Sequence, residues 1–377
     1  MSLKGFRPDQ YAQRRFLKIF DFPLLAMTLA LCAVGVAAIY SANLQSESAY
    51  MKSLYLRQSY YIVLSLILMT AVLAVDYRAL ERFAYPIYFI GLATLAGTLV
   101  FGKIGGGARR WIEIAGYNIQ PSELMKIILI IILARGFGDI LKKEDLGARD
   151  LIKPALFTLF PFMMVASQPD LGTAMILIFI FVCMAFFNGL KTAFLVRTAG
   201  LLALATPSFW YLLKPYQQKR ILTLLNPEAD PMGGGYHIIQ SKIAIGSGGL
   251  WGKGVFMGTQ SKLNFLPAKH TDFIFSVFAE EIGFFGAALL IALFFIFILR
   301  MMEVTGLAKD KFGSLLVMGV ASMISFNFLF NIGMTMGLFP VVGIPLPFIS
   351  YGGSALVTNF IGIGLIINVS MGRFKLD

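Results

Sequence analysis

Cysteine and histidine are scarce in this sequence of 377 residues, which contains two of each. Cys32 and Cys183 both fall inside apolar runs, so neither a disulfide framework nor a thiolate metal site is supported. His237 and His270 are too few and too far apart to form a metal cluster with them. No cofactor is indicated except a divalent cation, which carboxylates near a phosphate-bearing substrate could hold.

Charged residues are also few, at 14% of the chain, against 58% hydrophobic residues and a mean hydropathy of +0.76. A soluble core does not absorb that much apolar surface. The apolar runs continue for about twenty residues without alternation, which excludes a β-barrel and predicts helices that cross a bilayer. The sequence therefore predicts an all-α polytopic membrane protein.

Ten transmembrane spans are predicted in a single integral membrane domain over residues 1–377. They cover 21–41, 56–75, 83–101, 122–138, 152–168, 170–188, 193–213, 272–299, 313–336 and 352–371. The first is expected to remain as an anchor, because it is long enough to span and lacks a persuasive cleavage site. A cytoplasmic N-terminal segment, 1–20, precedes it. A long outer loop with short amphipathic helices, 214–271, separates the seventh and eighth spans.

Basic residues are distributed unevenly among the loops. One set of alternate loops carries most of them, including Arg14, Arg15, Lys142, Lys143 and Arg373. By the positive-inside rule this side is cytoplasmic, together with both termini. The net charge of +12 then reflects basic residues beside an anionic cytoplasmic leaflet rather than nucleic-acid binding.

Asp272 stands where a long polar segment meets the apolar run that resumes at Phe273. An ionisable group at the mouth of a membrane helix usually faces a cavity, and it is interpreted as a functional site. Capping of the helix start is the alternative role for this carboxylate. Glu280 and Glu281 weaken that alternative, because two acids inside an apolar run imply a polar interior or a partner.

A second polar cluster begins another span far upstream. Pro121 and Glu123 are both favoured at a helix N-terminus, and Lys126 lies on the same helix face as Glu123. We expect Lys126 to pair with an acid in a cavity rather than to extend to the surface. Asp170 follows a similar Gln-Pro pair, and it either caps its helix or joins the site.

The outer segments supply further candidates. Arg109 and Arg110 lie in the first outer loop, and Arg220 lies in the long one, where each could contact an anion. Ser350 and Ser354 lie in a rigid loop rich in proline and glycine. Their hydroxyls are suited to binding sugar or phosphate.

These motifs together resemble the SEDS family (shape, elongation, division and sporulation) over essentially the whole chain. They are found at residues 106–111, 120–123, 168–173, 236–250, 270–283 and 345–354. The segment 340–345 and the short tail are more similar to the elongation branch of the family than to the division branch.

The resemblance implies a peptidoglycan glycosyltransferase that polymerises lipid II into glycan during cell elongation, on the outer face of the cytoplasmic membrane. It implies that Asp272 is the essential carboxylate and that Glu123 and Lys126 line the same cavity. Asp272 would accept the proton of the acceptor hydroxyl, and the nearby cations would stabilise the polyprenyl diphosphate leaving group. The implied partners are a class B penicillin-binding protein, which is a transpeptidase, and elongation-complex proteins.

Two other functions stay open at this point. A flippase for lipid-linked precursors also needs many helices and interior charge, but it requires a polar route to both faces. A non-catalytic scaffold of the wall-synthesis complex would leave Asp272 replaceable. The unusual polar residues concentrate near the outer ends of the spans, and no internal repeat is evident, which favours the polymerase.

Overall fold

The computed structural model describes residues 20–105, 108–114, 116–140, 147, 149–194, 196–198, 200, 204, 211, 214–230, 233–262, 265–266 and 268–372. The predicted segment 1–20, apart from Phe20, lies outside the described residues, as does most of the predicted seventh span, 193–213. The basic residues Lys142, Lys143 and Arg373 lie outside them too.

The described residues form thirteen α-helices and one short 3-10 helix, Pro227–Ala229. The α-helices are α1 Phe22–Asn43, α2 Ala49–Lys52, α3 Leu54–Ala74, α4 Tyr77–Phe101, α5 Pro121–Ile140, α6 Ile152–Ser167, α7 Leu171–Phe187, α8 Pro215–Leu225, α9 Gly234–Ser247, α10 Thr259–Lys262, α11 Ile274–Leu307, α12 Lys311–Thr335 and α13 Gly353–Gly372. In this described part of the chain, helices occupy nine of the ten predicted spans. By length and composition, α1, α3, α4, α11, α12 and α13 can each cross a membrane, so the predicted multi-pass helical fold is confirmed.

The centre of the bundle is formed by α5, α12 and α13, whose side chains are mostly buried. Small residues allow these helices to approach closely. A Cβ on Gly319 of α12 would lie 2.5 Å from the side chain of Ile130 in α5. The outer helices α3, α4 and α11 instead expose large apolar side chains, such as Ile67, Ile90 and Leu289, as expected for surfaces that face lipid.

Three short antiparallel strands connect α4 to α5, in the order β1 Lys103–Gly105, β2 Ala108–Ile114 and β3 Tyr117–Ile119. The sequence predicts only a loop here. Successive side chains of a strand point to opposite faces, so Arg109 and Arg110 of β2 point in different directions. Arg109 is exposed, whereas the side chain of Arg110 is only 25% exposed.

The long helix α11 is interrupted at Gly283, whose φ of 76° and ψ of −168° are not helical. The glycine-rich segment 248–254 packs into this break, where the N–H of Lys253 donates to the carbonyl of Glu280 at 3.0 Å. A Cβ on Gly283 would lie 2.2 Å from the backbone nitrogen of Gly252. Both the positive φ and this close approach require glycine.

The segment 338–352 between α12 and α13 folds into the bundle and buries apolar side chains such as Phe348. Irregular backbone is tolerated at membrane depth only where protein satisfies its polar groups. Gln58 of α3 does so here, because its side chain donates to the carbonyl of Ser350 at 3.1 Å and accepts from the N–H of Gly352 at 3.4 Å.

Candidate active site

A cavity of about 480 Å³ opens at the end of the bundle where α5, α7, α11 and α13 begin. Its walls come from β2, these helix starts, α8 and the segment 338–352. The polar residues that line it include Arg110, Gln120, Glu123, Asp170, Arg220 and Asp272. The two polar clusters that are distant in sequence therefore meet around one space.

Asp272 lies directly before Phe273, the N-cap residue of α11, and its half-buried side chain lines the cavity. The N-cap of α11 is Phe273, whose side chain makes no capping hydrogen bond, so Asp272 does not occupy the N-cap position. Burial raises the pKa of Asp272 to about 6. A hydrogen bond with the Thr271 side chain and the charges of Arg110 and Arg220 act in the opposite direction.

Two buried polar side chains fix the backbone around Asp272. The carboxamide of Asn331 in α12 donates to the carbonyl of Asp272 at 3.0 Å and to that of Ile344 at 2.7 Å. The hydroxyl of Ser350 donates to the carbonyl of Thr271 at 2.6 Å. Ser350 thus holds the Asp272 segment against the segment 338–352. Asn331 is not among the site residues predicted from the sequence, although a polar residue in an apolar span is a signal of a functional position.

Arg110 and Arg220 reach the cavity from β2 and α8. The Nη1 atom of Arg110 lies 3.9 Å from Oδ1 of Asp170, and the guanidinium of Arg220 lies over the ring of Tyr216, 5.8 Å from its centroid. Burial lowers the pKa of Arg220; Tyr216, Asp170 and Asp272 oppose this shift, and the charge of Arg110 adds to it. Two cations and two carboxylates are therefore close enough to influence one another, in a geometry suited to an anionic ligand.

Asp170 fills both of the roles considered for it. It is the N-cap of α7, accepting from the N–H of Thr173 at 3.2 Å, and it also accepts from the side-chain amide of Gln120 at 3.0 Å. Pro169, at φ 25°, lies before the helix, which begins at Leu171. This helix start therefore differs from that of α5, in which Pro121 is the first helical residue.

Glu123 and Lys126 form a buried ion pair along one face of α5, with Oε2 and Nζ 2.7 Å apart. Glu123 lines the cavity, and Lys126 neutralises it from one turn deeper in the helix. The expected pairing of Lys126 with an acid is present. A direct contact of Lys126 with substrate stays a prediction.

The other predicted site residues differ in their placement. Ser354 lines the cavity, and its hydroxyl accepts from the N–H of Gln120 at 3.0 Å. Arg109 is exposed on the outer face of β2. Glu280 lies beside the break in α11, where its Oε1 accepts from Lys253 at 2.6 Å. The structure therefore brings Ser354 into the cavity, and it places Arg109 and Glu280 outside the group of residues that line it.

Among the described residues, the cavity provides no ligand set made of protein side chains alone for a divalent cation. Within the described part of the chain, no group of three or more His, Cys, Asp and Glu side chains lies close enough to hold a metal ion. Two of the cavity carboxylates are already matched by basic side chains, Glu123 by Lys126 and Asp170 by Arg110. An anionic substrate would meet arginines here.

The fold and the cavity define a class: a multi-pass helical membrane protein with a charged site at one end of its bundle. The family model described as "Cell cycle protein", which covers FtsW, RodA and SpoVE, matches residues 22–374. The chain is 38% identical over 358 residues to the peptidoglycan glycosyltransferase MrdB of Escherichia coli K12, covering 95% of each sequence.

Solved structures similar to this chain include a RodA protein and a chain from a peptidoglycan synthase complex. RodA, the rod shape determining protein of Thermus thermophilus, superposes with a TM-score of 0.70 at 30% identity, over 94% of this chain and 98% of that one. A chain from a peptidoglycan synthase complex, whose structure is described as coordinating polymerization and crosslinking, superposes with a TM-score of 0.81 at 32% identity, over 94% and 99%.

The chain belongs to the FtsW, RodA and SpoVE family, which is the SEDS family. The predicted family is confirmed. The predicted enzyme class is confirmed as well, because curated relatives that match along nearly the whole chain are glycosyltransferases.

Proposed function

We propose that this protein polymerises lipid II into glycan strands during cell elongation, at the extracytoplasmic face of the cytoplasmic membrane. The acceptor sugar hydroxyl attacks the anomeric carbon of the donor, and a polyprenyl diphosphate leaves. The observation that carries the proposal is one cavity in which Asp272 is accompanied by Arg110 and Arg220. A base and two cations in one space meet the needs of this reaction.

Asp272 is the proton acceptor in this proposal. Its pKa of about 6 leaves the carboxylate mostly ionised at neutral pH and makes it a stronger base than an exposed carboxylate. The other carboxylates of the cavity are less available, because Glu123 is paired with Lys126 and Asp170 accepts several hydrogen bonds.

Arg110 and Arg220 stabilise the leaving group. Negative charge grows on the diphosphate as the new glycosidic bond forms and the bond between the donor's anomeric carbon and the diphosphate oxygen breaks. Guanidinium groups suit this charge, because each presents several N–H donors in a fixed plane. The Nε atom of Arg110 is buried and has no hydrogen-bond partner among the described residues, so this group retains donor capacity for a ligand.

The uneven distribution of basic loop residues supports an extracytoplasmic site. The cavity lies at the end of the bundle that carries the outer segments of the predicted topology. Cysteine labelling in intact cells tests this orientation, in a chain whose Cys32 and Cys183 have been replaced. An impermeant reagent should label Glu228→Cys and should not label Lys309→Cys at the other end. The reverse pattern would place the site on the cytoplasmic side.

We further infer that a class B penicillin-binding protein docks a membrane helix against α11 and α12. Other elongation-complex proteins are further partners in this proposal. Two adjoining apolar cavities of about 390 and 700 Å³ lie on this face, and both are lined by Ala288, Ile291 and Met336. Small side chains beside exposed large ones, such as Phe284, allow close packing of another apolar helix. A similar solved chain comes from a peptidoglycan synthase complex that coordinates polymerization and crosslinking, which supports a partner of this kind.

The two adjoining cavities form an apolar groove, and one substitution on α11 tests whether the partner binds in it. Ala288→Trp should fill the groove and weaken co-purification with the transpeptidase, whereas Leu299→Trp, at an exposed position outside the groove, should not. Gly286 is a poorer test, because a Cβ there would lie 2.0 Å from the Ile282 side chain of the same helix. Equal binding by both variants would move the interface elsewhere.

Polymerisation of purified lipid II by the reconstituted protein, with and without its transpeptidase partner, tests the proposed function. We expect glycan polymer to form in the complex. Movement of lipid II across the vesicle membrane without polymer would indicate a transporter. Neither activity from a well-folded complex would indicate a scaffold.

A further inference from the structure

A second cavity of about 340 Å³ adjoins the one that contains Asp272. Arg220 and Val341 line both cavities, so the two spaces meet at these side chains. The second cavity lies between α8, α9 and the segment 338–352. The polar side chains that line it are Tyr216, Lys219, Arg220, Thr223, Asp230 and His237.

The second cavity has little net charge away from its boundary with the first. Lys219 is paired with Asp230, with Nζ and Oδ1 3.3 Å apart. Burial lowers the pKa of His237, and the charge of Asp230 opposes that shift only in part, so the imidazole is neutral at pH 7. Arg220 stands at the junction, where Asp170 and Asp272 of the first cavity act on it.

The groups presented in this space suit a sugar ring better than a diphosphate. Tyr216 offers an aromatic face, Thr223 offers a hydroxyl, and Asp230 offers a carboxylate acceptor. The Nδ1 atom of His237 is buried and has no hydrogen-bond partner among the described residues. Small-ligand sites combine apolar walls with a few polar groups in this way.

The proposed reaction needs more than one binding position. The first cavity, at about 480 Å³, lies in the lower part of the range of about 300 to 1,000 Å³ for a site that holds one small ligand. A glycan strand that grows by repeated addition must also remain bound while a new lipid II enters. A neighbouring site that holds the strand away from the reacting bond would provide this retention.

We propose that the second cavity binds an uncharged sugar ring of the glycan strand, away from the bond being formed. The diphosphate occupies the first cavity beside Arg110 and Arg220. This inference rests on the proposed polymerase function and extends it. It makes the second cavity a determinant of strand length.

The test compares strand length with the rate of lipid II consumption in the reconstituted complex with its transpeptidase partner. His237→Phe keeps the ring packed near Phe273, where the ring centroids are 6.2 Å apart, but removes its nitrogen atoms. Thr223→Val keeps the shape of its side chain but removes the hydroxyl. Glu228→Gln, at an exposed position on the same loop and outside the cavity, is the matched control.

We expect each cavity variant to shorten the mean strand by about fivefold, the effect of losing roughly one hydrogen bond to the strand. The rate of lipid II consumption should fall by a smaller factor, and the control should match the wild type in both measurements. Strands of wild-type length from both variants, or equal falls in length and consumption, would overturn the second site. A wild-type complex that forms no polymer would instead refute the underlying function.

Discussion

The side-chain amide of Asn331, buried in α12, donates a hydrogen bond of 3.0 Å to the backbone carbonyl of Asp272. The same amide donates to the carbonyl of Ile344 at 2.7 Å. One residue therefore fixes the segment that carries the proposed base against the segment that forms another wall of the cavity. Asn331 is a positioning residue, because it acts on the reaction through Asp272.

Replacement of Asn331 by leucine should lower turnover by about tenfold to a hundredfold, because a small misplacement of a reacting group is costly. It should also shift the apparent pKa of the pH–rate profile, which a purely structural defect would not do. Ser322→Ala is the matched control, since the Ser322 hydroxyl donates to the carbonyl of Met318 within α12 at 2.7 Å and its side chain hydrogen-bonds with Cys183 of α7, outside the group of residues that line the cavity. A folded Asn331→Leu protein with wild-type rate and profile would remove this role.

The polymerisation rate should depend on pH through Asp272. The base must be ionised, and its pKa is raised from 3.8 to about 6, so the rate should fall about tenfold per pH unit below 6 and level off above about 7. The folded protein holds this proton more tightly than the unfolded chain. This residue's contribution to stability therefore declines as pH rises from about 4 to 6, and acidification through that range does not destabilise the fold through Asp272. A rate that is constant from pH 5 to 7 would contradict the assignment.

Arg110 and Arg109 provide a matched pair of adjacent residues. Arg110→Gln should lower turnover by about a hundredfold, the usual effect of removing one donor to developing negative charge. Arg109→Gln should leave turnover nearly unchanged, because that side chain is exposed on the other face of β2. Arg220→Gln should resemble Arg110→Gln. Steady-state polymerisation rates check all three, and equal losses at Arg109 and Arg110 would argue against a specific contact.

The ion pair between Glu123 and Lys126 should stabilise the folded protein chiefly because each side chain neutralises the charge of the other. Lys126→Met leaves the Glu123 carboxylate buried and unpaired, which should destabilise the protein by about 3–5 kcal/mol. The double variant Glu123→Gln, Lys126→Met should recover much of that loss in thermal unfolding. If the double variant regains stability but not turnover, the pair also takes part in the reaction. A Lys126→Met protein as stable as the wild type would refute the neutralisation role.

The sequence predicts the spans and the polar clusters well, because each depends on local pattern. Pro121 begins α5 as expected, and Asp272 stands at the start of α11. The contacts between clusters depend on tertiary packing, which local pattern does not encode. The short sheet brings Arg110 close to Asp170. It also leaves Arg109 exposed while Arg110 faces the cavity, and local pattern predicts neither result.

The partner of Glu280 also could not be predicted from the sequence alone. Its position in an apolar run suggests a role in the site, and the resemblance to the family does not separate it from Asp272. The break at Gly283 admits the segment 248–254, and this brings Lys253 to Glu280. A backbone irregularity at one glycine therefore determines which partner this carboxylate meets.

The most direct test of the account is polymerisation of lipid II by Asp272→Asn in complex with the transpeptidase. Asparagine keeps the shape of the side chain but accepts no proton, so polymer formation should fall by about two orders of magnitude or more. Thermal stability should be no lower, because the variant removes a half-buried carboxylate whose pKa is raised to about 6. Partner binding should be unchanged. Normal polymerisation by a well-folded Asp272→Asn complex would show that Asp272 is not the base.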